Sequence, residues 1–286
     1  MLQVNLNNYN FNYVENGKGD SLVFVHGSAS DYRTWDKQLE YFGKYFHTIA
    51  YSRRHHWPNE QIQDNEDYSM AKHVADLEEF LKFIENQPIH LVAHSYGALL
   101  CILLAIKKPQ LIRTLTLAEP PAVALYVSNT PKPKEILTLL FSKPQLALGI
   151  IKFGAKGIAP TTKAFKQNDM DKALDIFGKT TLGVKAFLNL SKSRLEQARS
   201  NLFKAELLGS GFLPLDKNKI RNITLPTFLI SGENSPKLWQ DLLVELNKLI
   251  PNSELKIIPE ASHIMHEDNV SNYNTTVLSF LKKNTK

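Results

Sequence analysis

The run Ile89-His90-Leu91-Val92-Ala93 leads directly into His94-Ser95-Tyr96-Gly97, and Ala98 to Lys107 continues as an apolar, helix-like segment. A strand that turns within a few residues into a helix, with a serine at the apex, is the setting of a nucleophile elbow. The backbone there is strained and neighbouring strands crowd close, so the flanking positions must be small. Gly97 supplies one, and Ala93 stands where glycine is commoner. A serine at a helix start also suits an N-cap, so the rest of the chain has to supply the partners that separate the two roles.

That elbow demands a sheet with helices around it, and the hydrophobic pattern agrees. Ser21 to Val25, Thr48 to Tyr51, Ile89 to Ala93, Thr114 to Ala118, Thr227 to Ser231 and Leu255 to Ile258 read as short strands. Their near-continuous apolarity predicts that most are buried on both faces of a parallel sheet. Tyr68 to Asn86 places Val74, Leu77, Leu81 and Ile84 on one helical stripe, and Asn269 to Lys283 repeats the device with Tyr273, Val277, Phe280 and Leu281. Leu2 to Val14 alternates like an antiparallel hairpin. The expected fold class is α/β, a mostly parallel sheet covered by helices on both faces. Residues 121–223 break the alternation with helix-like runs and no convincing strand. They are expected to form a helical lid, with residues 1–120 and 224–286 as the core.

Charge and cysteine narrow the setting. Of a net charge of +6, residues 121–216 hold 14 Lys and Arg against 7 Asp and Glu, leaving 20 against 21 elsewhere. Dispersed lysines on helices read first as a solvated face. No aromatic and basic interleaving argues for nucleic acid, and no stretch reaches the roughly 18 apolar residues of a membrane span. Cys101 is the single cysteine, and Met1 to Gly19 shows no signal-peptide pattern, so a reducing cytoplasmic setting is the expectation.

A serine hydroxyl needs a base within hydrogen-bond reach. Pro259-Glu260-Ala261-Ser262-His263 follows the last strand, and His263 is the candidate; His266, three residues on, belongs to the approach to the final helix. His263 and His266 lack a third ligand at metal-binding spacing, and no metal or organic cofactor is expected.

With these residues in place the chain resembles the α/β-hydrolase superfamily from His26 to the closing helix. In that family a His-Gly pair ends the third strand, as Val23-Phe24-Val25-His26-Gly27 does here. The resemblance implies that the backbone N–H groups of Ser28 and Tyr96 form an oxyanion hole, with His26 orienting the loop. It also implies that Arg53 and Arg54, in Tyr51-Ser52-Arg53-Arg54-His55-His56, brace loops.

The third partner departs from the commonest family pattern. After Thr227 to Ser231 the turn reads Gly232-Glu233-Asn234-Ser235-Pro236, with Ser235 where an aspartate is usual. A carboxylate would still hold the imidazole tautomer. Glu119 follows Thr114 to Ala118 and is fixed by Pro120-Pro121; it is favoured over Glu233. Some superfamily members, including a subgroup of haloalkane dehalogenases, carry their acid after this strand.

The reaction so implied is cleavage of a small-molecule carboxylic ester or lactone with an apolar portion, through Ser95, His263 and Glu119. Carbon–carbon or amide cleavage on the same residues, and ligand capture with little turnover, stay open as alternatives. Dehalogenation and the usual epoxide opening use an aspartate nucleophile in this superfamily, which Ser95 replaces here. Leu139, Leu140, Phe141, Leu146, Leu148, Ile150, Ile151 and Phe153 offer apolar material for an acyl pocket, but such residues in helices are more often core, and none is named as a pocket residue.

Overall fold

The computed structural model describes residues 1–63, 66–202, 206 and 211–285. Eight strands form one sheet: β1 (Leu2–Leu6), β2 (Tyr9–Asn16), β3 (Ser21–Val25), β4 (His47–Tyr51), β5 (Ile89–His94), β6 (Ile112–Ala118), β7 (Thr227–Gly232) and β8 (Ser253–Ile258). Their spatial order is β1-β2-β4-β3-β5-β6-β7-β8. The first two pairings are antiparallel and all others parallel. The hairpin expected at the N-terminus is present. Leu6 pairs with Tyr9 across Asn7-Asn8, both at positive φ, the two-residue turn whose twist suits a hairpin and which asparagine tolerates.

Because side chains alternate along a strand, β3 sends Val23 and Val25 into one core and Leu22 and Phe24 into the other. The first core is closed by helices α2 (Met70–Phe83) and α3 (Tyr96–Lys107); the second by α1 (Asp36–Phe42) and the C-terminal helix Val270–Lys283. Ser69 caps α2 by accepting from the Lys72 N–H, which starts the helix two residues inside the stretch the sequence pattern marks. The strands from β3 to β7 are buried on both faces, as their apolarity predicts. β8 is the exception: it is an edge strand with only β7 beside it, and Ile257 is exposed.

Between β6 and β7 the described chain is helical, with α4 (Pro133–Ser142), α5 (Pro144–Phe153), α6 (Ala159–Lys166), α7 (Met170–Leu182), α8 (Val184–Leu188) and α9 (Lys192–Ser200). The portions of the expected lid at 203–205 and 207–210 lie outside the described residues. Leu139, Leu146 and Ile150 from α4 and α5 pack with Leu238, Trp239 and Leu242 of α10 (Lys237–Leu249). Among the described residues no helix is long and apolar enough to cross a membrane.

Candidate active site

Ser95 sits between β5 and α3 with φ 51° and ψ −120°. That conformation is costly for a residue with a Cβ, and the surroundings enforce it. The Ser95 N–H bonds to the Ala118 carbonyl at 2.8 Å, tying the turn to the end of β6. A methyl group on Gly97 would collide with the Val25 and His26 carbonyls, and one on Gly27 would touch Ser95 Cβ and His94. The elbow therefore nests against the end of β3 so closely that glycine is needed on both sides. Ala93 is fully buried and accommodated.

One residue past Ala118, Glu119 also has a left-handed backbone, φ 43°, and its N–H bonds to the Ile230 carbonyl at 3.2 Å. Its side chain is fully buried. One carboxylate oxygen lies 2.5 Å from His263 Nδ1. The other accepts from Ser231 Oγ at 2.5 Å and from the Gly232 N–H at 3.1 Å. The end of β7 thus supplies donors to a carboxylate at the end of the neighbouring strand β6. Hydrogen bonds to every face of a buried carboxylate compensate the loss of water. Glu233 is elsewhere: it is solvent-exposed and accepts from the Glu260 N–H at 2.8 Å, bracing a turn. Ser235 is buried but makes no contact with His263 among the described hydrogen bonds.

His263 is held from several sides. Its carbonyl accepts from His94 Nε2 at 2.9 Å, and the rings of His94 and Trp239 flank it at 4.7 and 5.4 Å. With Nδ1 turned to Glu119, Nε2 has no hydrogen-bond partner among the described residues. Ser95, His263, Ser28 and His94 line one cavity of about 50 Å³. Burial, reinforced by His263 and His266, pushes the His94 imidazole far below the ordinary histidine range. It is therefore a neutral brace with its proton on Nε2. His266 bonds to Thr34 Oγ1 at 3.0 Å and stacks on Trp35. Burial lowers its pKa to about 4, so it too is a structural neutral ring.

The loop expected to hold the oxyanion is equally fixed. The Tyr96 N–H, at the first position of α3, has no acceptor within its own helix, and Ser28 lines the cavity beside Ser95. His26 Nδ1 lies 2.9 Å from the Gly27 carbonyl. Arg53 bonds to the same carbonyl at 3.0 Å, and Arg54 forms a two-point pair with Asp76. Arg53 thus braces the loop after β3, and Arg54 ties its own loop to α2.

The apolar wall of the cavity comes from Leu174, Phe177, Leu182, Phe187, Leu190 and Ala198 of the α7 to α9 region. In α4 and α5, by contrast, Leu139, Leu146 and Ile150 face α10, and Phe141 and Leu148 are exposed. Amphipathic spacing identifies a buried face without saying what it meets. Arg194 of α9 lines this cavity and a neighbouring polar one of about 370 Å³, pairing with Glu267 and reaching the Ala29 carbonyl at 3.2 Å. Among the described residues no three His, Cys, Asp or Glu side chains gather as a metal ion would need.

Sequence reading missed the roles of His94, Ser231, Trp239 and Arg194. For His94 and Ser231 a signal existed, since each is a polar residue at the end of an apolar strand. Trp239 and Arg194 approach from distant helices with no local pattern to mark them.

Residues 20–270 match the family model described as alpha/beta hydrolase fold. "Epoxide hydrolase 2" of Caenorhabditis elegans is 32% identical over 41% of this chain, a match spanning 34% of that protein. "Epoxide hydrolase 3" of Xenopus tropicalis is 23% identical over 96% of this chain and 75% of its own length. The solved structure of MenH from S. aureus superposes with a TM-score of 0.73 at 22% identity, covering 96% of this chain and 99% of that one. The matched span contains the elbow, Glu119 and His263, and the chain belongs to the alpha/beta hydrolase fold family.

Proposed function

We propose that the protein is a serine hydrolase of small-molecule carboxylic esters or lactones, with Ser95 as nucleophile, His263 as base and Glu119 as the acid that orients it. The observation that carries this reading is the unpartnered His263 Nε2, whose ring opens on the cavity that Ser95 shares while Nδ1 is engaged by Glu119. An imidazole held in that tautomer accepts a proton at Nε2 and is steadied as imidazolium by the carboxylate.

In the first step Ser95 Oγ attacks the acyl carbon while its proton passes to His263 Nε2. The carbonyl electron pair moves to oxygen, which the Ser28 and Tyr96 N–H groups stabilise. Collapse expels the alkoxide, which takes the proton from His263, and leaves the acyl group on Ser95. Water then gives a proton to His263 as it attacks the acyl carbon; collapse breaks the bond to Ser95 Oγ, which takes the proton back from His263, and releases the acid. A cavity of about 50 Å³ has room for only a few waters, so helices α7 to α9 act as a lid that yields to admit a larger acyl or leaving group.

Serine at position 95 separates the chain from the aspartate-nucleophile chemistry associated with epoxide opening. The test is a panel of p-nitrophenyl esters of increasing acyl length together with several lactones. Wild-type protein is expected to show sustained turnover that Ser95→Ala abolishes. Turnover that survives Ser95→Ala overturns the assignment, and stoichiometric binding without release of acid marks a ligand receptor.

A further inference from the structure

Arg53 lies in the loop after β4 and is almost fully buried. A buried guanidinium is costly unless its donors and charge are matched. Here much of that matching comes from the backbone of one loop. Arg53 Nε bonds to the His26 carbonyl at 3.2 Å, Nη2 bonds to the Gly27 carbonyl at 3.0 Å, and the same Nη2 pairs with Glu206 at 2.7 Å.

The backbone of Arg53 acts on the same loop through His26. The Arg53 N–H donates to His26 Nε2 at 2.9 Å. Burial, then Arg53 itself, holds His26 neutral, far below the ordinary histidine range. A neutral imidazole that accepts at Nε2 carries its proton on Nδ1, so Nδ1 donates to the Gly27 carbonyl at 2.9 Å. That one carbonyl therefore receives two hydrogen bonds, one from a cation.

The Gly27 carbonyl and the Ser28 N–H belong to one planar trans peptide: the two bonds point to opposite sides, and their dipoles add. Donors fixed on the carbonyl edge leave the N–H edge on the opposite side. Gly27 abuts Ser95, and Ser28 lines the cavity. Hydrogen bonds accepted by a carbonyl also strengthen the donor on the same amide, by roughly 10–30% per bond. The Arg53 guanidinium lies 4.7 Å over the ring of Tyr96, whose N–H is the second donor proposed for the oxyanion.

We propose that Arg53 is a positioning residue for the oxyanion hole: it orients and polarises the Gly27–Ser28 peptide so that the Ser28 N–H meets the developing alkoxide as a strengthened donor. This rests on the reading of Ser95 as nucleophile. Glu206, from the segment between β6 and β7, balances the cation and ties that segment to the peptide. Arg53 touches no substrate atom; its effect reaches the reaction through one backbone amide.

The test compares Arg53→Met/Glu206→Gln with Glu206→Gln alone, so that no unpaired buried carboxylate remains, and adds Arg53→Lys. Near-UV circular dichroism establishes that each is folded. Removing the guanidinium is expected to lower kcat/KM on the best p-nitrophenyl ester about 10- to 100-fold. That is less than the 100- to 1,000-fold cost of deleting an oxyanion donor. The loss should fall in kcat, with KM nearly unchanged, and Arg53→Lys should recover part of it. A trifluoromethyl ketone, which adds to Ser95 and leaves an oxyanion, should lose affinity by the same factor, while the carboxylic acid product binds as before.

A folded double variant whose kcat and ketone affinity stay within twofold of Glu206→Gln overturns the proposal. So does a loss confined to KM, or an equal loss of product binding, either of which reports general damage to the pocket. If wild type shows no Ser95-dependent turnover, the underlying reading fails. Loss on Ser95→Ala without loss on the Arg53 variants refutes the proposal alone.

Discussion

The C-terminal edge of the sheet and the helical segment between β6 and β7 bury their polar groups in different ways. At the sheet edge each is held from several directions: Glu119 by His263, Ser231 and Gly232, and the Gly27 carbonyl by His26 and Arg53. The helical segment packs largely through apolar side chains, and besides the Glu206–Arg53 pair its polar ties to the core include a cluster on α9 and the residue just past it. There Gln197 and Asn201 bond to the buried Asp31, and Arg194 reaches Ala29 and Glu267. Its other half, α4 and α5, meets α10 through apolar packing and the Lys143–Glu245 pair, and leaves Leu137, Phe141 and Leu148 in solvent. Directional bonds fix positions to fractions of an ångström; apolar packing fixes volume and tolerates exchange. The first region is built for geometry and the second for enclosure.

The largest test of that contrast is the carboxylate. Glu119→Gln keeps the shape and can still bond to His263, but it favours the wrong imidazole tautomer and cannot steady an imidazolium. A loss on the order of 10⁴-fold in kcat is expected, the scale seen when such an acid becomes an amide. Glu233→Gln removes only an exposed brace of the Glu260 N–H and should stay within a few-fold of wild type. Comparable losses from the two would dissolve the distinction between a bonded site and an incidental carboxylate.

Acid should separate the two regions next. His26, His56, His73, His90, His94 and His266 are held below the ordinary histidine value, with burial the main cause in each. All lie outside residues 121–223. For His90 and His266 the folded value is about 4, against about 6.5 in an unfolded chain. Between those values the unfolded state binds more protons, so stability is complete above about pH 6.5 and falls as pH drops towards 4. The slope is up to about 1.4 kcal/mol per pH unit for each histidine.

The tie between α5 and α10 responds later. Burial works against ionisation of Glu245, yet hydrogen bonds from Lys143, Lys248 and Tyr126 bring its pKa down to about 2. That contribution is lost only as pH falls from about 4.5 towards 2. Melting temperature measured from pH 8 to pH 4 should be level and then decline below about 6.5, and His90→Gln should make the decline shallower. A flat profile down to pH 5 would contradict a core filled with neutral histidines.

The same contrast explains what could be read from the sequence. The elbow, the His-Gly pair and His263 were legible because each is a local motif pinned to a strand end. Glu119 stands out as a candidate only because Ser235 occupies the usual aspartate position; its donors Ser231 and Gly232 look like any strand terminus. The pocket wall is not legible in the sequence, because α4, α5 and α7 all carry an apolar stripe and a stripe names no partner. The Asp31 bonds to Gln197 and Asn201 join residues some 170 positions apart, which periodicity does not register.

The smallest expected effect lies within a single helix. Leu139 and Phe141 are two residues apart in α4, yet Leu139 is 4% exposed against Leu146, Leu238 and Trp239, and Phe141 is 88% exposed. Leu139→Ala should cost about 2–5 kcal/mol, because it removes buried methyl groups and leaves a void. Phe141→Ser removes a ring that covers nothing in the chain and should change stability by no more than about 0.5 kcal/mol. Neither touches the wall built from α7 to α9, so kcat/KM on short-chain esters should hold in Phe141→Ser. Chemical denaturation measures the first quantity and steady-state kinetics the second. A Phe141→Ser protein destabilised as much as Leu139→Ala would mean that this ring is covered in solution, and that α4 is no bare outer surface.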